Sequence, residues 1–412
     1  MNKKNLFLWS LYDFANSIIY VNFLLYFAQW LVIDGGLSDF WYNAIFAIAT
    51  IVLLFSAPML AAQTDRNGGK KFFLNLSTVG TFIAYGLAVW LAYGGVQNVI
   101  WVATLFLLGQ YFYQLAFVFY NPMLAEIADE KHRARASGIG QFANASGQVL
   151  GIAATLSLAG TRLGPLFPAL AGFFILALPM MIFYKESRTP STPLRFSELK
   201  NDTTSYVKRF HGFFAFSVAT PMLIAFFLFN DALLTLSNNY SIILERVFAT
   251  PDTTKSLLLM GILVMSAIGG IVFGWIADRL GSLTTLKIIL GGWVIALPLL
   301  AIAPTFTIFA ILTVPVGLLI GSLFAVCRAY LSMLLPKEDM AYGFSFYTLA
   351  ERFATFVGPL TWGTVVALGD ASDLSYRIAI IAMAMFVLAG LFVLLRFRRS
   401  TIHYPLQKFP NL

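Results

Sequence analysis

Asp13, Asn16 and Tyr20 follow Trp9 at i+4, i+7 and i+11, so one helix would carry a carboxylate, an amide and a phenol along a single stripe. The carboxylate of such a stripe can exchange a proton or hold a cation, while the amide and phenol hydrogen-bond a polar solute. Asp231, Thr235 and Asn238 repeat the pattern later in the chain, beside Asn230. Gln141, Asn144 and Gln148 share one face of a third segment, and Gln110, Gln114 and Asn121 one face of a fourth. Arg328, Glu351 and Arg352 stand as charges in otherwise apolar stretches. Glu351 and Arg352 are adjacent and about 100° apart on a helix, so each needs a partner elsewhere, and one of them is expected to meet Arg328 or a carboxylate from another segment.

The elements that must position these residues are long apolar helices. Of 412 residues, 59% are hydrophobic and only 11% charged, against about 25% charged in an ordinary soluble domain. Crossing about 30 Å of hydrocarbon takes about 20 apolar residues. Twelve such stretches are found, over 7–33, 40–62, 72–93, 99–126, 137–160, 166–184, 213–236, 254–277, 284–303, 306–334, 343–368 and 377–396. No room is left for a separate soluble domain. Charges and amides are costly in hydrocarbon and should face a cavity or another helix. Away from the end turns, where Lys287, Arg377 and Arg396 lie, spans 6, 9 and 12 contain none and span 3 only Asn75, which places these four at the periphery and the others around a central route.

Charge fixes the orientation. With the N-terminus cytoplasmic, 21 of the 27 Lys and Arg lie in or beside cytoplasmic segments, whereas Arg162, Arg246, Lys255 and Arg377 lie outside and Arg328 and Arg352 within spans. Both termini are then cytoplasmic. The longest connection divides the chain into a six-helix half at 1–184, a cytoplasmic linker at 185–212, a second half at 213–396 and a tail at 397–412. The net charge of +8 reflects these cytoplasmic loops rather than nucleic acid. The single cysteine, Cys327, forms no intrachain disulfide, and His132, His211 and His403 all fall in loops or the tail, which argues against a histidine-based metal site. The basic start followed by an apolar run superficially resembles a signal peptide. The run continues to about Ile33 and carries Asp13 and Asn16, so it reads as the first span.

An internal repeat closes spans 2 and 8: Asp65-Arg66-Asn67-Gly68 and Asp278-Arg279-Leu280-Gly281. This paired signal resembles the loop motif of the major facilitator superfamily, with Ala61 where that family usually begins with Gly. A carboxylate at such a helix end can dock on a neighbouring helix N-terminus or a cation and hold the cytoplasmic side closed. The gating set is therefore Asp65, Arg66, Gly68, Asp278, Arg279 and Gly281.

Further strings are similar to the vacuole-effluxer-like branch of that superfamily, whose eukaryotic members are autophagy-related amino-acid effluxers. They are Trp9 through Ser17, Phe119-Tyr120-Asn121 with Leu124-Ala125-Glu126, Arg135 through Gly140, Leu228 through Asp231, Arg328-Ala329-Tyr330 before Pro336, and Gly358-Pro359. Beyond Gly140 the chain departs from the branch, with Gln141, Asn144, Gly147 and Gln148 in place of a Trp and a glycine-rich run. The resemblance implies an all-α fold of twelve transmembrane helices in two pseudo-symmetric halves that rock about a central site. It also implies an amino acid or similar zwitterion as solute.

The expected function is secondary active transport, with proton coupling preferred over sodium. Asp13, Asp231 and Glu351 are the coupling candidates, and Arg328 or Arg352 the group that holds a solute carboxylate. Asn16, Tyr20, Gln114, Asn121, Gln141, Asn144, Gln148 and Asn230 complete the expected route. Glu126 reads as structural and Cys327 as a packed, inert thiol. The partners are the solute, protons and the lipid bilayer; no cofactor or metal is expected, and the chain is expected to act as a monomer. The cell membrane is the favoured location, or a vacuolar or lysosomal membrane in a eukaryote. A membrane enzyme is disfavoured because no span carries His and no H-x-x-x-H or G-x-S-x-G string occurs. A non-transporting receptor or scaffold would not need polar stripes in both halves.

Overall fold

The computed structural model describes residues 3–128, 130–186, 219–335, 347–348, 350–351 and 353–396, apart from the side chains of 62, 65–67, 130, 131, 133 and 134. Among the described residues the chain forms twelve α-helices and no strand. The first six are α1 (Lys3–Asn22), α2 (Asp39–Asn67), α3 (Lys70–Tyr93), α4 (Val99–Ile127), α5 (Glu130–Thr155) and α6 (Leu166–Phe183). The second six are α7 (Thr220–Phe248), α8 (Asp252–Leu280), α9 (Ser282–Ala301), α10 (Phe306–Leu334), α11 (Val357–Leu368) and α12 (Asp373–Arg396). Ten helical stretches are long and apolar enough to cross a membrane. The other two helices are α5, with its polar start, and α11, whose 12 residues follow a break in the helix at 354–356.

Beyond Asn22, the first span continues outward with its backbone ladder widened by one residue per turn over Phe23–Phe27 and Trp30–Asp34. Such widened turns recur at functional sites because they re-aim the side chains beyond them. Here they precede and follow Gln29, which is fully buried.

The glycines of the paired motif have a backbone reason. Gly68 and Gly281 end α2 and α8 at φ 75° and 83°, and Gly69, at φ 94°, opens α3. A side chain at these angles would be strained.

Small residues also allow helices to approach closely. On α5, Gly140 packs on Trp9, Gly147 on the Phe14 backbone and Gly151 on Ile18 of α1. In the second half Gly269 of α8 meets the Leu318 backbone, while Gly317 and Gly321 of α10 meet Ile262 and Ser266. Apolar side chains add no association force in lipid, so close van der Waals contact and hydrogen bonds hold such pairs. Large exposed hydrophobics such as Phe55, Trp90 and Ile271 lie on the outside of the bundle.

A Cβ on Gly321 would overlap the backbone oxygen of Ser266, whereas one on Gly274 meets nothing within 4 Å. Gly321→Ala should therefore cost about 1–3 kcal/mol, the usual range for overpacking, and lower the thermal midpoint in detergent. Gly274→Ala should keep the midpoint or raise it slightly, because Ala favours a helix interior.

Candidate functional site

A dense latch joins the two halves on their outer side. Arg162, between α5 and α6, pairs with Asp34 at 2.6 Å, Glu245 of α7 at 3.0 Å and Asp252 of α8 at 3.5 Å. Lys255 is fully buried, and its ammonium bonds Glu245, Asp252 (2.8 Å) and the amide oxygen of Gln29 (2.5 Å). Three acceptors thus satisfy its three donors, which a buried ammonium requires. Neutral contacts extend the latch. Asn43 and Asn239 exchange amide hydrogen bonds at 2.8 and 3.1 Å, Tyr42 donates to the Asn238 carbonyl, and Ser241 to the Leu24 carbonyl. Tyr26 bonds Ser256, Tyr376 donates to Asp39, and Thr50 meets Thr355 at 2.6 Å nearer mid-depth.

Sequence reasoning left these residues out of the site. The available signal was the set of cations that break the charge bias: of the four on the outer side, Arg162 and Lys255 join the halves. Arg246 lies beside Asp39 and Tyr376. Arg377 instead ties Asp373 to the Ala301 and Ala303 carbonyls within the second half.

Deeper in the bundle, each half holds an acid of its first helix against its fifth. In the first half Asn144 donates to Asp13 Oδ1 at 3.0 Å, and Gln148 donates to Asn144 at 2.8 Å. Trp9 stacks on Tyr120 at 4.6 Å with planes 1° apart; its indole donates to the Tyr120 carbonyl, and the Tyr120 hydroxyl to the Trp9 carbonyl. In the second half Asp231 is fully buried and accepts the Gly358 amide at 2.7 Å. That amide belongs to the first turn of α11, just beyond the helix break, where positive helix-dipole charge meets the carboxylate. Gly358 is required there because a Cβ would crowd Thr235 and Asp231. Pro359, also in the first turn, has no amide to leave unpaired.

The other expected residues are distributed as follows. Asn16 is buried and donates to the Tyr12 carbonyl of its own helix. Tyr20 lies nearly parallel to Tyr113, with centroids 6.4 Å apart. Gln114 is buried with its amide nitrogen unbonded; Asn121 is half-buried and Gln141 exposed. Asn230 donates to the Glu351 carbonyl at 3.4 Å. Arg328 and Glu351 lie around Tyr347, which is buried and stacked on Phe226. Arg352 and the side chains of Asp65 and Arg66 lie outside the described residues. Asp278 and Arg279 are exposed, with the guanidinium 6.0 Å from the Trp275 ring.

On the cytoplasmic side the carboxylate seen docking on a helix N-terminus is Glu186, which accepts from the amides of Gly69 and Lys70 (both 2.8 Å) and Lys71 (3.3 Å). Lys71 bonds the Ile182 and Tyr184 carbonyls at the end of α6, and Lys70 pairs with Glu126 at 3.1 Å. These contacts bind α3, α4 and α6 within one half.

Two six-helix units, latched across one face and each holding a buried carboxylate, form the kind of helical bundle on which membrane transporters are built. The family model described as Major Facilitator Superfamily matches residues 7–244 and again 222–409. The chain belongs to the major facilitator superfamily. It is 24% identical to the uncharacterized MFS-type transporter YxiO of Bacillus subtilis (strain 168), over 85% of this chain and 86% of that one. It is 23% identical to the multi-drug resistance efflux pump PmrA homolog of Lactococcus lactis subsp. lactis (strain IL1403), covering 94% and 93%. Among solved structures, the nucleoside transporter NupG superposes with a TM-score of 0.72 at 12% identity, covering 95% of this chain and 99% of that one. A bacterial homolog of the human lysosomal transporter Spinster, in an inward-facing and unoccupied conformation, gives a TM-score of 0.71 at 14% identity, covering 97% and 96%.

Arg162 and its partners are partly exposed, so the loss is smaller than the about 3–5 kcal/mol of a fully buried pair, and Arg162→Ala should weaken the latch without dismantling it. In a background without Cys327, a cysteine at position 238 should react at least about tenfold faster with an impermeant thiol reagent added outside. Unchanged labelling would show that Arg162 does not hold the outer face.

Proposed function

We propose that this chain is a proton-coupled secondary transporter that moves a small zwitterion, of which an amino acid is the preferred example, by rocking its halves about the mid-depth acids. The observation that carries this reading is the latch itself. A continuous set of ion pairs and amide bonds closes one face between two halves, and each mid-depth acid is bonded within its own half. The halves can therefore part without breaking the Asp13–Asn144 or the Asp231–Gly358 bond.

Asp13 is the preferred coupling group. Its carboxylate accepts the neutral amide of Asn144, and Gln148 extends that amide chain along α5. A proton taken up at Asp13 would cancel the charge that this amide donates to. Asp231 serves as its counterpart, and Arg328 offers a cation to a solute carboxylate. The strings shared with the vacuole-effluxer-like branch support amino acids as the solute class. The bacterial relatives support the cell membrane as the location. In this reading Asp65 and Asp278 stabilise the opposite form, closed to the cytoplasm.

One charge moved across 100 mV corresponds to about 2.3 kcal/mol, or roughly fiftyfold accumulation. In liposomes Asp13→Asn should retain solute exchange and lose accumulation driven by a pH gradient. Wild-type proton dependence in this variant would pass the coupling role to Asp231 or Glu351.

A further inference from the structure

Just inside the latch a cavity of about 30 Å³ opens between α1, α2, α3, α4 and α7. As it stands, it holds no more than about two waters. Seven of its ten lining residues carry aromatic rings and none is charged, which sets it apart from the acid clusters below. Tyr20 of α1 and Tyr113 of α4, both half-buried, have planes only 10° apart, so one flat guest can contact both in a single orientation.

Two carboxamides complete the lining. Gln110, one turn from Tyr113, accepts the Tyr85 hydroxyl at 2.7 Å, and its amide nitrogen bonds no described residue. Asn238 gives its backbone carbonyl to Tyr42, and its side-chain amide likewise bonds no described residue. The cavity therefore offers ring faces together with unused amide donors and an unused acceptor.

This lining selects among guests. An inorganic ion would lack a counter-charge. A lipophilic cation would be attracted to the rings but would leave both carboxamides without partners. An aliphatic side chain would do the same without gaining stacking. A planar ring with a hydrogen-bonding edge satisfies the faces and the amides together.

We infer that the transporter takes a planar aromatic ring of its solute into this cavity, stacked on Tyr20 and Tyr113, with Gln110 and Asn238 bonding the ring's edge. The inference rests on the transport part of the reading above, not on its choice of a zwitterion, and names the solute class of that site. The ring can belong to an aromatic amino acid such as tryptophan or to a free heteroaromatic base such as adenine. With the Tyr42 bond to the Asn238 carbonyl made, the cavity is too small for a ring, so the ring enters the form in which that bond is broken and the outer face has parted.

The test is equilibrium binding and thermal shift on the purified full chain, with tryptophan, adenine, leucine and tetraethylammonium as probes. Tryptophan, adenine or both should bind, and leucine and tetraethylammonium should not. A tryptophan-only result assigns the ring to an amino-acid side chain, and an adenine-only result to a free base. Tyr113→Leu should weaken ring binding about tenfold or more, while Tyr113→Phe, which keeps the ring face, should stay within about twofold. Gln110→Leu, whose folding is judged by its unliganded midpoint, should weaken binding as well. Equal binding of leucine, binding of tetraethylammonium in place of the rings, or binding of no ring compound overturns the inference. Proton-driven leucine uptake that is indifferent to Tyr113→Leu would overturn it while leaving the transport reading intact. Rings that bind in the cavity but never cross liposomes would sink the transport reading and leave the ring site standing.

Discussion

Hydrocarbon offers no hydrogen bonds, and the architecture follows from that refusal. Every backbone amide within the bilayer must be paired inside the protein, and pairing along each helix leaves a bundle of helices as the available form. Every charged or amide side chain must then find a partner inside the bundle. Lys255 shows how strict this is: its ammonium is fully buried and has exactly as many acceptors as donors. Because apolar side chains gain little by leaving lipid, helices are held by close approach, and Gly147, Gly269 and Gly321 permit it.

Within this constraint the two halves solve the same problem differently. Each buries an acid about halfway along its first helix and satisfies it from its fifth. Asp13 is met by the side chain of Asn144, on a continuous helix. Asp231 is met by the backbone amide of Gly358, which is available because the helix is broken just before it. An amide side chain can swing away by rotating its own bonds, whereas a backbone amide moves only with its helix. The first arrangement suits local proton exchange, and the second ties the state of α7 to the position of α11.

The outer latch couples the halves through charge as well as shape. Two cations, Arg162 and Lys255, share the carboxylates Asp34, Glu245 and Asp252, and Glu245 and Asp252 each serve both. Shared carboxylates make the network cooperative, because losing one contact weakens its neighbours. The aromatic cavity lies directly inside this network, with Tyr42 and Asn238 belonging to both. A guest in the cavity and closure of the outer face are therefore physically linked.

By itself the sequence determined the number of helices and the course of most spans, and the placement of Lys and Arg assigned them an expected orientation, because length, hydropathy and charge are local properties that hydrocarbon reads directly. It also marked Asp13, Asn144, Gln148 and Asp231, since an isolated polar group in an apolar run stands out whatever surrounds it. The pairing of those groups was not legible. Helical spacing says which residues share a face but not which helix lies opposite, so Asp231 and Gly358, 127 residues apart, could not be matched. The latch was hidden for a similar reason: Arg162 and Lys255 lie near span ends, where a charge is unremarkable until another half supplies its carboxylates. Glu186 escaped because nothing local ties it to the start of α3, more than a hundred residues earlier. The aromatic cavity was the least visible, since aromatic residues are abundant throughout the spans and only the packing of five helices makes seven of them line one space.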